Sequence, residues 1–305
     1  MSHRPVLHGT EGESPVLALL SPKPGETVLD VTVGLGGHAA SLKKEIGPSG
    51  RLIVLDADQA NLDHAKNVLE GIPGHTQYHH ANFRSLADIA LPPCDIIFAD
   101  LGVSSPHFDD PERGFSFRAD GPLDLRFDRS KGRSAAAFLA RAAPDAIAEV
   151  LRSYGELRGA GKLAHALSKK ARTQESPLRT TDVRSCVEEL FGYKALSILP
   201  QVFQALRIAV NDEIGALQSL LHSAPKLLKP RGRFGVIAYH SLEDRAVKQA
   251  FRSLSTPEKD PEKGGILRES PFELLTKKPV TPSPVEIEAN PRSRSARLRV
   301  LRRRA

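Results

Sequence analysis

The segment from Val28 to Asp58 constrains the fold more than any other part of the chain. Thr27-Val28-Leu29-Asp30-Val31-Thr32-Val33 is rich in β-branched residues and follows a Pro24-Gly25 turn, a pattern that predicts a strand. Gly34-Leu35-Gly36-Gly37 comes next, then a helical stretch over 38–45, then a second apolar strand over 51–55 that ends on Asp56. A strand that ends in glycines and feeds a helix lets a ligand approach the backbone, with amides free to bind its polar groups. Gly34, Gly36 and Gly37 are therefore expected to floor a pocket. A dinucleotide site wants Gly-x-Gly-x-x-Gly, whereas this chain has Gly-Leu-Gly-Gly-His. Asp56 lies 22 positions after Gly34, at a strand end where a carboxylate can accept hydrogen bonds from ribose hydroxyls. The combination predicts a nucleoside cofactor. The competing reading is an ordinary tight turn with an exposed acid at the next strand end.

The rhythm continues. A helix is expected from about Asp58 to Glu70, with Asp58 as its N-cap, then a short strand over 76–80 and a clear one over 95–99 ending on Asp100. Nearly continuous apolar strands alternating with helices predict a parallel sheet covered on both faces. Residues 101–133 break the pattern with Gly, Pro, Ser and Asp. From 134 to 199 only helices are expected, and a long helix follows over 203–222. The strand pattern returns over 233–239, with a helix over 243–253, a long loop over 255–290 and a final strand near 295–301 that puts Arg297 and Arg299 on one face. The expected architecture is thus α/β, a Rossmann-like sheet with an inserted all-helical domain. It divides as 1–108 for the first part of the sheet domain, 109–200 for the insertion and 201–305 for the second part with its basic tail.

Charge indicates the partner. The net charge of the 305 residues is +7, and residues 290–305 hold seven arginines and no acid, so the remainder is neutral. A basic segment on a neutral body suggests a phosphate-rich partner such as RNA, with a solvated, frayed tail as the plainer alternative. No apolar run approaches the roughly 20 residues of a membrane span, and residues 1–5 lack the apolar core of a signal peptide. Cys94 and Cys186 suit buried positions in a reducing cytoplasm. His79-His80 and the other histidines form no ligand spacing, so no metal is expected.

The stretch Asp100-Leu101-Gly102-Val103-Ser104-Ser105-Pro106 starts where doubly wound sheets place ligands. It is similar in character to the Asp/Asn/Ser-Pro-Pro-aromatic loop of amino-methylating DNA methyltransferases, without the second proline and the aromatic. The lone pair of an exocyclic amine is delocalised into its ring. Oxygen acceptors beside the amine can polarise it, and the nitrogen must be held in line with the methyl donor.

Spread along the chain are further strings: Pro5-Val6-Leu7, Arg113-Gly114-Phe115-Ser116-Phe117, Asp120-Gly121-Pro122-Leu123-Asp124-Leu125-Arg126, Tyr154-Gly155-Glu156, Phe203-Gln204-Ala205-Leu206-Arg207-Ile208, His240-Ser241-Leu242-Glu243-Asp244-Arg245 and Asn290-Pro291-Arg292-Ser293-Arg294-Ser295. With the glycine turn and the Asp100 loop, they resemble in identity and order the bacterial 16S ribosomal RNA (cytosine-N4)-methyltransferase family. The resemblance implies S-adenosylmethionine as methyl donor and N4 of a cytidine in the decoding centre of 16S rRNA, in the small ribosomal subunit, as acceptor. It places cofactor contacts on Gly36, Gly37, His38, Asp56, Phe83, Asp100 and His107. It departs at His107, where the family has Gln, at Leu7-His8-Gly9-Thr10, and at Ile198-Leu199-Pro200-Gln201, where a Thr-Arg pair is usual.

On this reading Asp56 holds the ribose, Asp100 lies near the adenine and the transfer site, and Phe83 faces the adenine ring. Ser104, Ser105 and His240 line the cytosine side, and His240 could relay the released proton. The target base must leave its stack to react. The other functional classes are a methyltransferase for a DNA or protein amine, and a non-catalytic RNA-binding assembly factor with a relic pocket. A homodimer is compatible with the sequence and not required by it.

Overall fold

The apolar runs read as strands in the first hundred residues form strands. The computed structural model describes residues 5–8, 14–260 and 265–305, leaving aside the side chain of Ser105; Gly9 and Thr10 of the amino-terminal string lie outside the described residues. The strands are β1 (Thr27–Asp30), β2 (Arg51–Asp56), β3 (His75–His80), β4 (Cys94–Asp100), β5 (Leu228–Ala238), β6 (Glu258–Lys259), β7 (Ile266–Arg268), β8 (Phe272–Leu274) and β9 (Arg297–Arg303). Seven of them form one sheet in the order β3-β2-β1-β4-β5-β9-β8, while β6 and β7 pair as a separate ribbon. β1 to β5 are mutually parallel and β9 runs antiparallel to both β5 and β8. The fold is Rossmann-like α/β, and the strand order reverses between β1 and β4, the place where such sheets open a crevice.

The chain forms two compact units. The first is Met1–Gly102 with Gly215–Ala305, and the second is Val103–Ile214. In the first, alternate strand residues feed two cores. Val28, Leu52, Val54, Ile96, Phe98 and Ile237 pack with Leu42, Ile46, Leu62 and Leu69 on one face. Leu29, Ile53, Leu55, Ile97, Phe234 and Val236 pack with Leu217, Leu220, Val247 and Phe251 on the other. Burial on both faces explains why these strands read as apolar runs rather than alternating ones. Asp58 caps the helix Gln59–Glu70 as expected, accepting from the Ala60 amide at 2.9 Å.

The second unit is helical, with its principal helices at Ala135–Arg141, Pro144–Gly155, Ala160–Thr173, Thr180–Phe191 and Ala195–Asn211. Their apolar faces close over Leu139, Ile147, Leu151, Leu163, Leu167, Val183, Val187, Leu199 and Val202. The irregular stretch that precedes them is held by specific bonds. Arg126 meets Asp124 at 2.8 Å through both Nε and Nη2, and Arg113 donates to the Arg126 and Phe127 carbonyls. Gly114 and Gly121 leave no room for a side chain: a Cβ would lie 2.2 Å from the Pro122 carbonyl oxygen and 2.0 Å from that of Pro111. Among the described residues, no helix is long and apolar enough to cross a membrane.

Two expectations change. The single helix over 203–222 is two, Ala195–Asn211 and Glu213–Leu227, separated at Asp212 with φ 46. Asp tolerates this left-handed backbone better than most residues, and the Arg207–Glu213 pair at 2.8 Å spans the break. The first of these helices also runs through Pro200. Burial of Leu199, Val202, Phe203 and Leu206 outweighs the one hydrogen bond a proline cannot donate. The segment 255–290 also carries more structure than a loop, namely β6, β7, β8 and the helix Pro284–Ala289.

Candidate active site

Three acids stand at the carboxyl ends of three adjacent strands: Asp56 on β2, Asp30 on β1 and Asp100 on β4. Parallel pairing in register puts them at one edge of the sheet, beside the switch point. The glycine turn lies over them. Gly34 has φ 52 and Gly36 φ 85, left-handed values that glycine adopts at little cost. A Cβ on Gly36 would lie 3.3 Å from Ala65 Cα, and one on Gly37 would lie 2.4 Å from Pro5 Cγ. The turn is therefore packed closely against Ala65 and Pro5, and it feeds directly into the helix Gly37–Ile46.

Asp56 organises this turn. Its Oδ2 accepts from the Gly34 amide at 2.8 Å, and its Oδ1 accepts from the Asp58 amide at 2.8 Å and from Asn61 Nδ2 at 3.3 Å. Each carboxylate oxygen can accept more than one hydrogen bond, so a ribose hydroxyl can still be taken up. Burial raises the Asp56 pKa and these hydrogen bonds partly offset it.

Asp30 and Asp100 are tied through Thr32. The Thr32 amide donates to Asp30 at 3.1 Å, and its hydroxyl accepts from the Asp100 amide at 2.7 Å. Asp30 is almost wholly buried, and burial together with the charges of Asp100 and Asp56 pushes its pKa up to about 8. Asp100 is pushed up to about 6, chiefly by burial, against a hydrogen bond donated by the Tyr239 hydroxyl. Burial and the same carboxylate raise Tyr239 in turn. The Tyr239 ring covers Gly102, where a Cβ would lie 2.7 Å from it. His38 Nε2 is 3.8 Å from Asp100 Oδ2, and its ring meets Phe98 edge-on with centroids 5.0 Å apart. Phe83 opens the turn Phe83–Asp88 after β3, half-buried against the core.

His240 follows β5 and is the N-cap of the helix Ser241–Ser255. Its Nδ1 accepts from the Glu243 amide at 3.4 Å and its Nε2 is 3.2 Å from Glu243 Oε1. Accepting through Nδ1 commits that lone pair to the cap, while the buried Nε2, although close to Glu243, makes no hydrogen bond among the described residues. His240→Ala should then cost about 1 kcal/mol of unfolding free energy in urea titrations, and His240→Asn, a good cap, should recover most of it.

Ser104, Ser105 and His107 belong to the helical unit. Ser105 begins the short helix Ser105–Asp109. Ser104 Oγ is 2.7 Å from His107 Nδ1, and the buried His107 ring lies against Phe115 and Phe127, with centroids 5.0 and 5.5 Å away.

Within the first unit, then, the structure brings together Gly36, Gly37, His38, Asp56 and Asp100, with Phe83 after β3 and His240 after β5. It adds Asp30, which the sequence reading only grouped with the cofactor loop by resemblance, and Tyr239, to which it gave no role. Each is a polar residue at the end of an apolar run, and that was the available signal. Chemically, three carboxylates whose pKa values are raised mainly by burial are suited to a cation, and the glycine turn gives its flat or polar parts close access to backbone.

Comparison with known proteins agrees in direction. Residues 1–304 match the model of the MraW methylase family. A ribosomal RNA small subunit methyltransferase H from Thermomicrobium roseum is 41% identical over 311 residues, covering 99% of this chain and 94% of that protein. Its counterpart from Synechococcus sp. is 43% identical over 309 residues, covering 94% and 89%. Among solved structures, an rRNA methylase from Streptococcus thermophilus superposes with a TM-score of 0.42 at 12% identity, covering 97% of this chain and all of that one.

Proposed function

The chain belongs to the MraW methylase family, and on that premise we propose that it methylates the exocyclic N4 amine of a cytidine in the decoding centre of 16S rRNA. It is an S-adenosylmethionine-dependent methyltransferase. The observation that carries the reading is the match along residues 1–304, with Gly34, Gly36, Asp56 and Asp100 set at one sheet edge. The residues fit the cofactor: S-adenosylmethionine is cationic at sulfur and amine, and burial raises the pKa of Asp30, Asp56 and Asp100, with the charges of Asp100 and Asp56 adding to it at Asp30.

The bound cofactor supplies an electrophilic methyl group. Gly36, Gly37 and His38 would hold it along their turn, Asp56 would take the ribose hydroxyls, and Phe83 would meet the adenine. Asp100 accepts a hydrogen bond from the substrate amine, orients its lone pair, and holds the proton released when the N–C bond has formed. Its pKa near 6 leaves it mostly ionised at neutral pH and able to take that proton. Ser104 and Ser105 supply further acceptors on the cytosine side. His240 shapes that side as a helix cap; if His240→Ala keeps the full single-turnover rate, a proton relay through it is ruled out. His107 stands next to the Ser-Ser-Pro string, and its ring serves the core of the helical unit. The helical unit recognises the RNA, and the enzyme works in the cytoplasm on small subunits.

Cofactor binding should release protons between pH 6 and 8. Asp30 and Asp100 hold protons more tightly in the fold than the ordinary value of 3.8, so the unliganded protein loses stability as pH rises toward about 8. A bound cation favours both ionised forms, so affinity should climb over this range. Calorimetry in buffers of different ionisation enthalpy measures the release, and a pH-independent affinity would refute it. The function is tested by tritium transfer to small subunits lacking the modification, with mass mapping of the labelled nucleotide. Label on DNA or protein, or on another nucleotide, would overturn it.

A further inference from the structure

The opposite edge of the sheet carries the opposite charge. β5 runs from Leu228 at that edge to Ala238 beside the acids. Lys23 precedes β1 there, Arg231 lies in the first turn of β5, and antiparallel pairing returns Arg302 of β9 next to Arg233. With Arg303 and Arg304, these side chains line a cavity of about 700 Å³ whose lining holds one acid, Glu273.

Half of this charge is already committed. Arg233 donates to both Glu26 oxygens at 2.9 and 2.8 Å, Arg302 pairs with Glu273 at 2.6 Å, and Arg303 donates to the Leu228 carbonyl. Lys23, Arg231 and Arg304 remain, all exposed. Among the described residues Lys23 and Arg231 make no ion pair, and Arg304 meets Glu273 only at 3.8 Å. Arg231 also takes φ 63, a backbone conformation usually left to glycine or asparagine. A long cation kept there at conformational cost suggests a task for its charge.

We infer that Lys23, Arg231 and Arg304 form a second docking surface for the phosphate backbone of RNA, at the amino edge of the sheet and away from the transfer site. Asp100 pairs with Ile237, six residues after Arg231, so at 3.3 Å per residue the surface lies ~20 Å from the acids. Arginine forks and a lysine ammonium suit phosphodiester oxygens, and a site this far from the methylated base requires a long, folded nucleic acid. The inference rests on the reading that the substrate is ribosomal RNA, and it divides the basic tail. Arg297 and Arg299 are spent on Asp244, at 3.2 and 2.7 Å, whereas Arg304 is available to the ligand.

The test is fluorescence anisotropy of the full chain with a small-subunit rRNA transcript across a NaCl series. The triple variant Lys23→Gln, Arg231→Gln, Arg304→Gln should bind on the order of a hundredfold more weakly at 100 mM salt. Its plot of log K against log salt should be shallower by about three. Glu273→Gln, which removes the one acid, should bind more tightly, so the inference stays exposed even if the triple variant folds poorly. S-adenosylmethionine affinity should not change in either. Unchanged RNA affinity and slope in both variants would overturn the inference. So would weakened binding of intact small subunits with unchanged binding of the bare transcript, which would point to an acidic ribosomal protein. Because binding is read without turnover, a parent protein that binds RNA through this surface yet labels no cytidine would refute the proposed reaction and leave this surface standing.

Discussion

Asp56→Ala should bind S-adenosylmethionine at least ~100-fold more weakly than the parent chain in calorimetry. A hydrogen bond to a charged group contributes about 1.5–3 kcal/mol, and the carboxylate offers acceptors to two ribose hydroxyls, so ~3–6 kcal/mol is at stake. A second effect adds to the first. Asp56 accepts from the Gly34 amide, so the substitution also frees the turn that carries Gly36 and Gly37. A loosened cradle must be ordered again on binding, which costs further affinity. Circular dichroism should show the fold retained, because the strand beneath is held by Leu52, Ile53, Val54 and Leu55, all fully buried. Unchanged affinity in a folded variant would remove Asp56 from the site.

Asp100→Ala should lower the single-turnover rate by ~10²–10⁴ with cofactor and RNA both saturating, the usual range for a group that orients a nucleophile and takes its proton. Asp100→Asn separates the two tasks. The amide keeps an acceptor for the Tyr239 hydroxyl and for the substrate amine but cannot take up a proton. It should therefore lie between alanine and the parent, and its rate should no longer rise with pH around 6. Tyr239→Phe provides a finer probe. Loss of a hydrogen bond that lowers the Asp100 pKa should move the same pH profile upward. An Asp100→Ala rate within tenfold of the parent would exclude Asp100 from the chemistry.

The parts of this molecule that were legible in the sequence are those set by local chemistry. The strands β1, β2 and β4 announce themselves because both faces are buried, and the glycine turn because only glycine tolerates its backbone. Asp58 was readable as a cap from its position alone. Tyr239 was not assigned and Asp30 was matched only to the cofactor loop, because their importance depends on register. Asp30 matters only when parallel pairing sets β1 between β2 and β4, and Tyr239 only when β5 comes from 128 residues downstream to lie beside β4. The break at Asp212 was hidden because no glycine or proline marks it. β8 is three residues long inside a Pro- and Lys-rich stretch, too short for periodicity to show. Charge counting could not divide the tail for a similar reason. It could see seven arginines, but not that Asp244, more than fifty positions earlier, ion-pairs with two of them.

The position of β9 has a consequence for how the chain is made. This strand lies between β5 and β8, inside the sheet rather than at its rim, although its residues are made well after those of β5. The helical unit is continuous in sequence, so it can fold while still tethered to the translating machinery. The sheet has to wait. Until residues 297–303 emerge, β5 keeps an open edge, and a chain released early would expose Phe234, Val236 and the hydrogen-bonding groups that β9 covers. A nascent chain cut short before residue 297 is therefore a candidate for aggregation, not a weakened enzyme.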